Sequence, residues 1–184
     1  MRPSCRGRLL VATPLLTDPT FDRTVVLVLE HSDEGALGLV LNRPSDTDLS
    51  DPLPDWAPLA TPPEVVFIGG PVAPDAVIAL ARAESDAEHE AFTPVLGSIG
   101  SVDLGTDPFE LGIGLQAVRV FTGYAGWAPG QLDRELDVDG WFLADVDADD
   151  VFTADVDGLW RRVLLRQGGR GALFAFYPED ASWN

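Results

Sequence analysis

Apolar residues in this chain come in short, dense runs separated by turn residues. RLLVA (8–12), TVVLVLEH (24–31) and ALGLVLNR (36–43) are too short for ordinary helices and rich in β-branched and branched side chains, so each predicts a strand. SDEG between the last two predicts a hairpin, and the near-continuous apolar character of both arms predicts burial on both faces. Residues 44–63 contain Pro44, Pro52, Pro54, Pro58, Pro62 and Pro63, which predicts a long surface excursion with one helical turn near Trp56. EVVFIGG (64–70) predicts a strand ending at a Gly-Gly-Pro corner. DAVIALAR (75–82) fits strand or helix, because its period is ambiguous. SDAEHEAF (85–92) reads as a polar loop, SIGSVDL (98–104) as a weak strand and AVRVFTGYAG (117–126) as a strong one. PGQLDREL (129–136) predicts a short helix with Pro129 near its first turn, and WFLADVD (141–147) a further strand.

The last pattern changes period. Val156, Leu159, Trp160, Val163 and Leu164 recur at i, i+3, i+4, i+7 and i+8, the apolar face of a helix. Asp155 and Asp157 at its start and the Gly168-Gly169 pair at its end supply caps. Arg161, Arg162, Arg166 and Arg170 lie toward the end that favours cations; they read as solvated charges or a small basic patch facing an acidic partner. ALFAFYP (172–178) predicts a short extended tail. Strands outnumber helices and come in runs, so the fold class is α+β, one domain over 1–184 with a flexible N-terminus (1–6) and a tail (178–184).

Composition narrows the function classes. No apolar run reaches the eighteen or so residues of a membrane span, so no membrane association is expected. MRPSCRGRLLVATPLL breaks at Pro14 without a small-residue cleavage site and does not read as a signal peptide; the expected compartment is the cytoplasm. Cys5 is the only cysteine, which excludes an internal disulfide and a cysteine zinc site and reads as an incidental thiol on a mobile tail. Thirty acidic residues against twelve basic ones give a formal charge of −18, and every base is arginine. Without lysine there is no Walker A loop, no kinase strand lysine and no Schiff base. The negative charge opposes direct nucleic-acid binding, which depends on neutralising phosphates.

Three motifs suggest chemistry and fail on context. Gly112, Gly114 and Ala117 match G-x-G-x-x-A, but a β-rich segment follows where a dinucleotide fingerprint needs a helix. Ser98 in LGSIGS has Gly97 in the wrong place for a nucleophile elbow. The run Asp145, Asp147, Asp149, Asp150, Asp155, Asp157 lacks the glycine and glutamate of an EF-type calcium loop; it reads as a solvated acidic face, with a loose divalent-cation site as the alternative. No cofactor or metal site is implied.

The glycine corners are the better candidates. Asn42-Arg43-Pro44, Gly69-Gly70-Pro71 and Gly123-Tyr124-Ala125-Gly126-Trp127 each follow a strongly apolar strand, and neighbouring strands would gather them at one rim. Glycine allows close backbone approach, Tyr124 and Trp127 offer flat faces with polar edges, Arg43 carries a planar fork for a carboxylate or phosphate, and Gln131 opens a helix whose N-terminus favours an anion. Asn42, Arg43, Gly69, Gly70, Tyr124, Trp127 and Gln131 thus form a candidate ligand cleft. They contain no nucleophile or base, so they suit binding more than bond-making. The opposing reading is that the glycines only turn corners and the aromatics only fill the core. A hydrolase-like alternative uses His31 or Asp22 with Arg23, but an eight-residue strand of roughly 25 Å separates the two ends.

GRLLVATPLLTDPTFDRTVVLVLEHSDEGALGLVLNRP, VFIGGPV and VRVFTGYAGWAPGQLDREL resemble the signature stretches of the YqgE/AlgH family of bacterial proteins, and the resemblance runs from Gly7 to the last helix. The segment 83–92 and the ending ALFAFYPEDASWN depart from it. The resemblance implies a bifurcated, mostly antiparallel sheet curled into a pseudo-barrel and flanked by helices, and no established enzyme activity. One branch of the family is named for transcriptional control of exopolysaccharide production. No helix-turn-helix pattern is present here, so any regulatory role implies an unknown small ligand or a protein partner rather than DNA contact.

Overall fold

A computed structural model of the chain describes residues 2–84 and 88–178. In chain order its strands are β1 (Leu9–Ala12), β2 (Val25–Ser32), β3 (Gly35–Val40), β4 (Pro44–Asp48), β5 (Val65–Ile68), β6 (Val72–Arg82), β7 (Phe92–Leu96), β8 (Ile99–Val102), β9 (Ala117–Trp127) and β10 (Trp141–Ala144). Its helices are α1 (Gln131–Asp137), α2 (Leu159–Gln167) and α3 (Gly169–Phe174). The strands join in one curled sheet of order β10-β1-β2-β3-β9-β6-β8-β7, with β4 on β5 and β5 on β9. Every named pairing is antiparallel except β5 with β9.

Strand β9 is the trunk of a fork. One edge carries β6 along most of its length. The other edge is shared: β5 pairs opposite Phe121 and Thr122, and β3 opposite Ala125, Gly126 and Trp127. Where the two branches part, Gly69 donates its N–H to the Thr122 carbonyl and accepts from the Val40 N–H, both at 2.8 Å, so a single residue ties β5, β9 and β3 together.

The period-2 alternation sets which side chain meets which layer. On β1 and β2, Leu9, Val11, Val25, Leu27 and Leu29 face the core under α2, while Leu10, Ala12, Val26 and Val28 face the core under α1. Both faces are therefore buried, as the unbroken apolar runs predict. The expected last helix starts later than its pattern: Leu159, Trp160, Val163 and Leu164 lie on α2 and Val156 in the turn before it, and all five pack into the first core, each contributing roughly 1.5–3 kcal/mol by leaving water. Asp155 Oδ1 accepts from the Gly158 N–H at 3.1 Å just before α2. Gly168, at φ +66°, ends the helix.

Several expectations are corrected. The excursion at 44–63 is not purely superficial: β4 pairs with β5, and Leu49 and Trp56 are buried in a third core beside β6 and β8, the one helical turn following Trp56 at Ala57–Leu59. Residues 75–82 are strand, and AFTPVL, read as loop and link, contains β7. The first three residues of ALFAFYP, Ala172–Phe174, are helical and belong to α3, where Gly171 allows a close approach to Phe142. Cys5 is not on a loose tail: it is 2% exposed, and its N–H donates to His31 Nδ1 at 3.0 Å. Burial pushes its thiol pKa up. Of the polar loop 85–92, residues 85–87 lie outside the described residues, as does 179–184 of the tail.

The acidic run and the arginines of α2 prove to be one feature. Asp150 is buried and takes both guanidinium nitrogens of Arg166, at 3.0 and 2.7 Å. Asp155 pairs with Arg162 at 3.0 Å, Asp145 with Arg8 at 3.1 Å, and Asp139 with Arg170 at 2.9 Å. The expected solvated acidic face holds for Asp145, Asp147, Asp149, Asp155 and Asp157, which are exposed, whereas Asp150 is buried and ties α2 to the turn after β10. Among the described residues no group of three or more His, Cys, Asp or Glu is placed to hold a metal ion.

Candidate functional site

The fold does not gather the seven candidate residues into one cleft. Ala36 pairs with Trp127 at the start of β3, whereas Asn42 and Arg43 follow its end. Six residues of strand put those places about 20 Å apart. The candidates divide into an α1 end, a fork and an Arg43 end.

At the α1 end every polar atom named in the sequence is spent internally. Trp127 is 6% exposed and donates its indole N–H to Glu135 Oε2 at 3.0 Å, and Trp141 donates to the same oxygen at 2.7 Å. Gln131 Nε2 donates to Glu135 Oε1 at 2.9 Å, while its Oε1 accepts from the Ala128 N–H at 3.0 Å. Phe21, Trp127 and Trp141 pack with ring centroids 5.6–6.3 Å apart. This is a closed aromatic cluster tied to one carboxylate.

At the fork the glycines are packing devices. A Cβ on Gly69 would lie 2.5 Å from the Gly123 carbonyl oxygen, and one on Gly70 would overlap the Tyr124 carbonyl. Gly123 itself holds φ +68°. Only glycine lets β5, β6 and β9 come this close. Tyr124 pairs with Val72 across the fork and packs half-buried against the first core.

The Arg43 end is open. Asn42 Oδ1 accepts from the Val25 N–H at 3.0 Å and its Nδ2 donates to the Arg23 carbonyl at 2.9 Å, so this amide extends the β2–β3 hairpin beyond its last ladder bond. That clamp sets Arg23, at φ +54°, and Arg43 side by side on the wall of a cleft of about 610 Å³. The opposite wall is the first turn of α2, with Trp160 and Arg161, and the chain after α3, with Phe176 and Tyr177. The Arg23 guanidinium lies 4.6 Å from the Trp160 ring centroid and donates to the Tyr177 carbonyl at 2.7 Å. Arg43 donates to the Asp22 carbonyl at 3.1 Å, and Arg161 lies 5.1 Å from the Phe176 ring centroid.

Sequence reasoning reached Asn42 and Arg43 but missed their partners. Arg161 reads as a helix-end charge and Trp160 as a core residue, and nothing local indicates that α2 begins against the β2–β3 hairpin. The hydrolase-like set also divides. Asp22 and Arg23 line this cleft, while His31, near the far end of β2, accepts from Cys5 and faces Asp133 at 3.8 Å. Gly112 and Gly114 precede a strand, and Ser98 sits in the β7–β8 turn, so neither motif has its functional context.

The AlgH-like family model matches residues 9–172. The chain belongs to the AlgH-like family. A UPF0301 protein of Streptomyces coelicolor is 48% identical, covering 98% of this chain and 96% of the relative, and one of Thermobifida fusca is 45% identical over 100% and 97%. A crystal structure of a protein from Corynebacterium diphtheriae superposes with a TM-score of 0.88 at 31% identity, covering 96% and 94% of the two chains. The solution structure of the AlgH protein from Pseudomonas aeruginosa gives 0.70 at 29% identity over 98% and 100%. The α+β class and the curled, mostly antiparallel sheet are thus those of the AlgH-like family. No helix among the described residues is long and apolar enough to cross a membrane.

Proposed function

We propose that this AlgH-like chain is a cytoplasmic, non-catalytic binding protein whose site is the cleft at the Arg43 end, and that any part it plays in gene regulation passes through that site rather than through DNA. The observation that carries this reading is the cleft itself. It is about 610 Å³, the size of small-molecule sites, and Arg23, Arg43 and Arg161 line it. The side chains described there supply charge, flat faces and hydrogen bonds but no nucleophile–base pair of the kind acyl or phosphoryl transfer requires. The formal charge of −18 works against a nucleic-acid partner.

Native mass spectrometry of gently purified protein, beside Arg43→Ala, tests the reading. An adduct, or a thermal shift produced by cell metabolite extract, is expected for the wild type and not for the variant. A wild type that carries no adduct, is not stabilised by the extract and captures no partner in an Arg43-dependent way overturns it.

A further inference from the structure

The arginines of this chain are used unevenly. On or beside α2, Arg162, Arg166 and Arg170 each pair with an aspartate. Arg161, next to them in sequence, turns to the cleft and has no carboxylate partner among the described residues; nor has Arg43 on the facing wall. Thirty acidic residues stand against twelve arginines, so scarcity of carboxylates does not explain two guanidinium groups in one cavity without a carboxylate partner among the described residues. Arg43 instead uses one nitrogen on a backbone carbonyl, which fixes the group and leaves its other N–H donors for a ligand. Among the described residues, Asp22 and Asp157 are the carboxylates that line the cleft, and both are exposed. The start of α2 adds partial positive charge on the same wall.

The second property of the cleft is flatness. Phe176 and Tyr177 are 66% and 48% exposed at its edge, unusual for side chains of that size, and each is already associated with a guanidinium group through its ring or its carbonyl. An aromatic ring and a guanidinium plane side by side match a ligand that carries both a planar apolar portion and an oxyanion.

From this geometry, and resting on the binding reading above, we infer that the cleft recognises a planar aromatic oxyanion. Its phosphate or carboxylate is held between Arg43 and Arg161, and its ring lies against Phe176 and Tyr177. Charge and flatness are both required: a bare inorganic anion lacks the stacking surface, and an uncharged ring leaves the guanidinium groups without a partner.

Matched probe pairs test this on the full chain: phenyl phosphate against phenol, indole-3-carboxylate against its carboxamide, and adenosine monophosphate against adenosine, with inorganic phosphate as the ring-free control. The expected result is binding by the charged member of at least one pair, at least tenfold tighter than its neutral mate and than inorganic phosphate. Arg43→Ala and Arg161→Ala should each weaken it about tenfold, as for loss of one charge-assisted contact. Phe176→Ala should weaken it less, with circular dichroism unchanged in all three variants. Phosphate and carboxylate probes together show which oxyanion the cleft prefers. Neutral members binding as well as charged ones overturns the inference while leaving the binding reading intact. No charged probe binding at about 10 mM, far above any specific affinity, overturns the inference alone, since the Arg43-dependent adduct or partner above is scored separately.

Discussion

Two ends of one hairpin, both expected from sequence to be functional, differ in how their polar atoms are spent. At the α1 end Glu135 takes two indole N–H groups and one amide, Gln131 caps the Ala128 N–H, and three aromatic rings close over them. At the Arg43 end an amide clamps the backbone, but guanidinium groups face an open cleft, and among the described residues no carboxylate pairs with Arg43 or Arg161. Aromatic and polar residues beside a corner are therefore not a site in themselves. The deciding quantity is how many donors remain after the fold has satisfied its own needs.

If that contrast is right, changes at the fork and the α1 end cost stability, whereas changes in the cleft cost binding. The largest expected effect is Gly70→Ala. The new Cβ meets backbone at Tyr124, which cannot yield as a side-chain end could, so a loss of about 4 kcal/mol or more is expected. Urea denaturation would measure it, and a loss within experimental error would show that the fork tolerates side chains.

Glu135→Ala follows. It strands two indole N–H groups and an amide, at about 1–3 kcal/mol for each buried unsatisfied group. The melt should fall while ligand affinity, measured at a temperature where the variant is folded, stays within about twofold.

Arg119→Met is expected to cost about 2–4 kcal/mol. This side chain is 2% exposed, and its two terminal nitrogens reach the carbonyls of Val151, Thr153, Thr61 and Pro62 at 2.8–3.4 Å, with Phe67 below. Burial pushes its pKa down to about 10, well below the usual arginine range. Above about pH 10 and up to the usual arginine range the unfolded chain holds more protons than the folded one, so this group's contribution to stability rises with pH through that window. A comparison of wild type and Arg119→Met stability at pH 9 and 11 should show the difference growing in favour of the wild type.

The smallest stability effects are expected for Arg43→Ala and Arg161→Ala, within about 0.5 kcal/mol, accompanied by the loss of binding described above. A large drop in the melt for either would move it to the structural side of the comparison.

The sequence carried the strand pairs and the last helix because their signals are local: period-2 apolar runs, a five-residue helical face and a closing Gly-Gly pair. β4 and β7 escaped it because Pro44 and Pro94 mark both as broken segments, although both lie at margins of the sheet where proline is tolerated. The start of the expected extended tail, Ala172–Phe174, is part of α3 because two glycines and a run of apolar residues do not reveal a helix that forms by packing on its neighbour. The ion pairs of the acidic run were illegible for a related reason: Asp150 and Arg166 are distant in sequence and meet only after folding. Arg119 did leave a trace, a lone charge between Val118 and Val120 in a central strand, where a buried guanidinium must find carbonyls or carboxylates. Half of the proposed site was legible as Asn42-Arg43 at the end of a buried strand; the other half, Trp160 and Arg161, required knowing where α2 lands.

The measurement that bears most directly on the contrast between the two ends is an amide-resolved NMR titration of the labelled protein with whichever of the charged probes above binds most tightly. Shifts are expected to be confined to Asn42, Arg43, Trp160, Arg161, Phe176 and Tyr177, with Gly123, Trp127 and Gln131 unmoved. Shifts centred on Gly123–Gln131, or none anywhere, would contradict it.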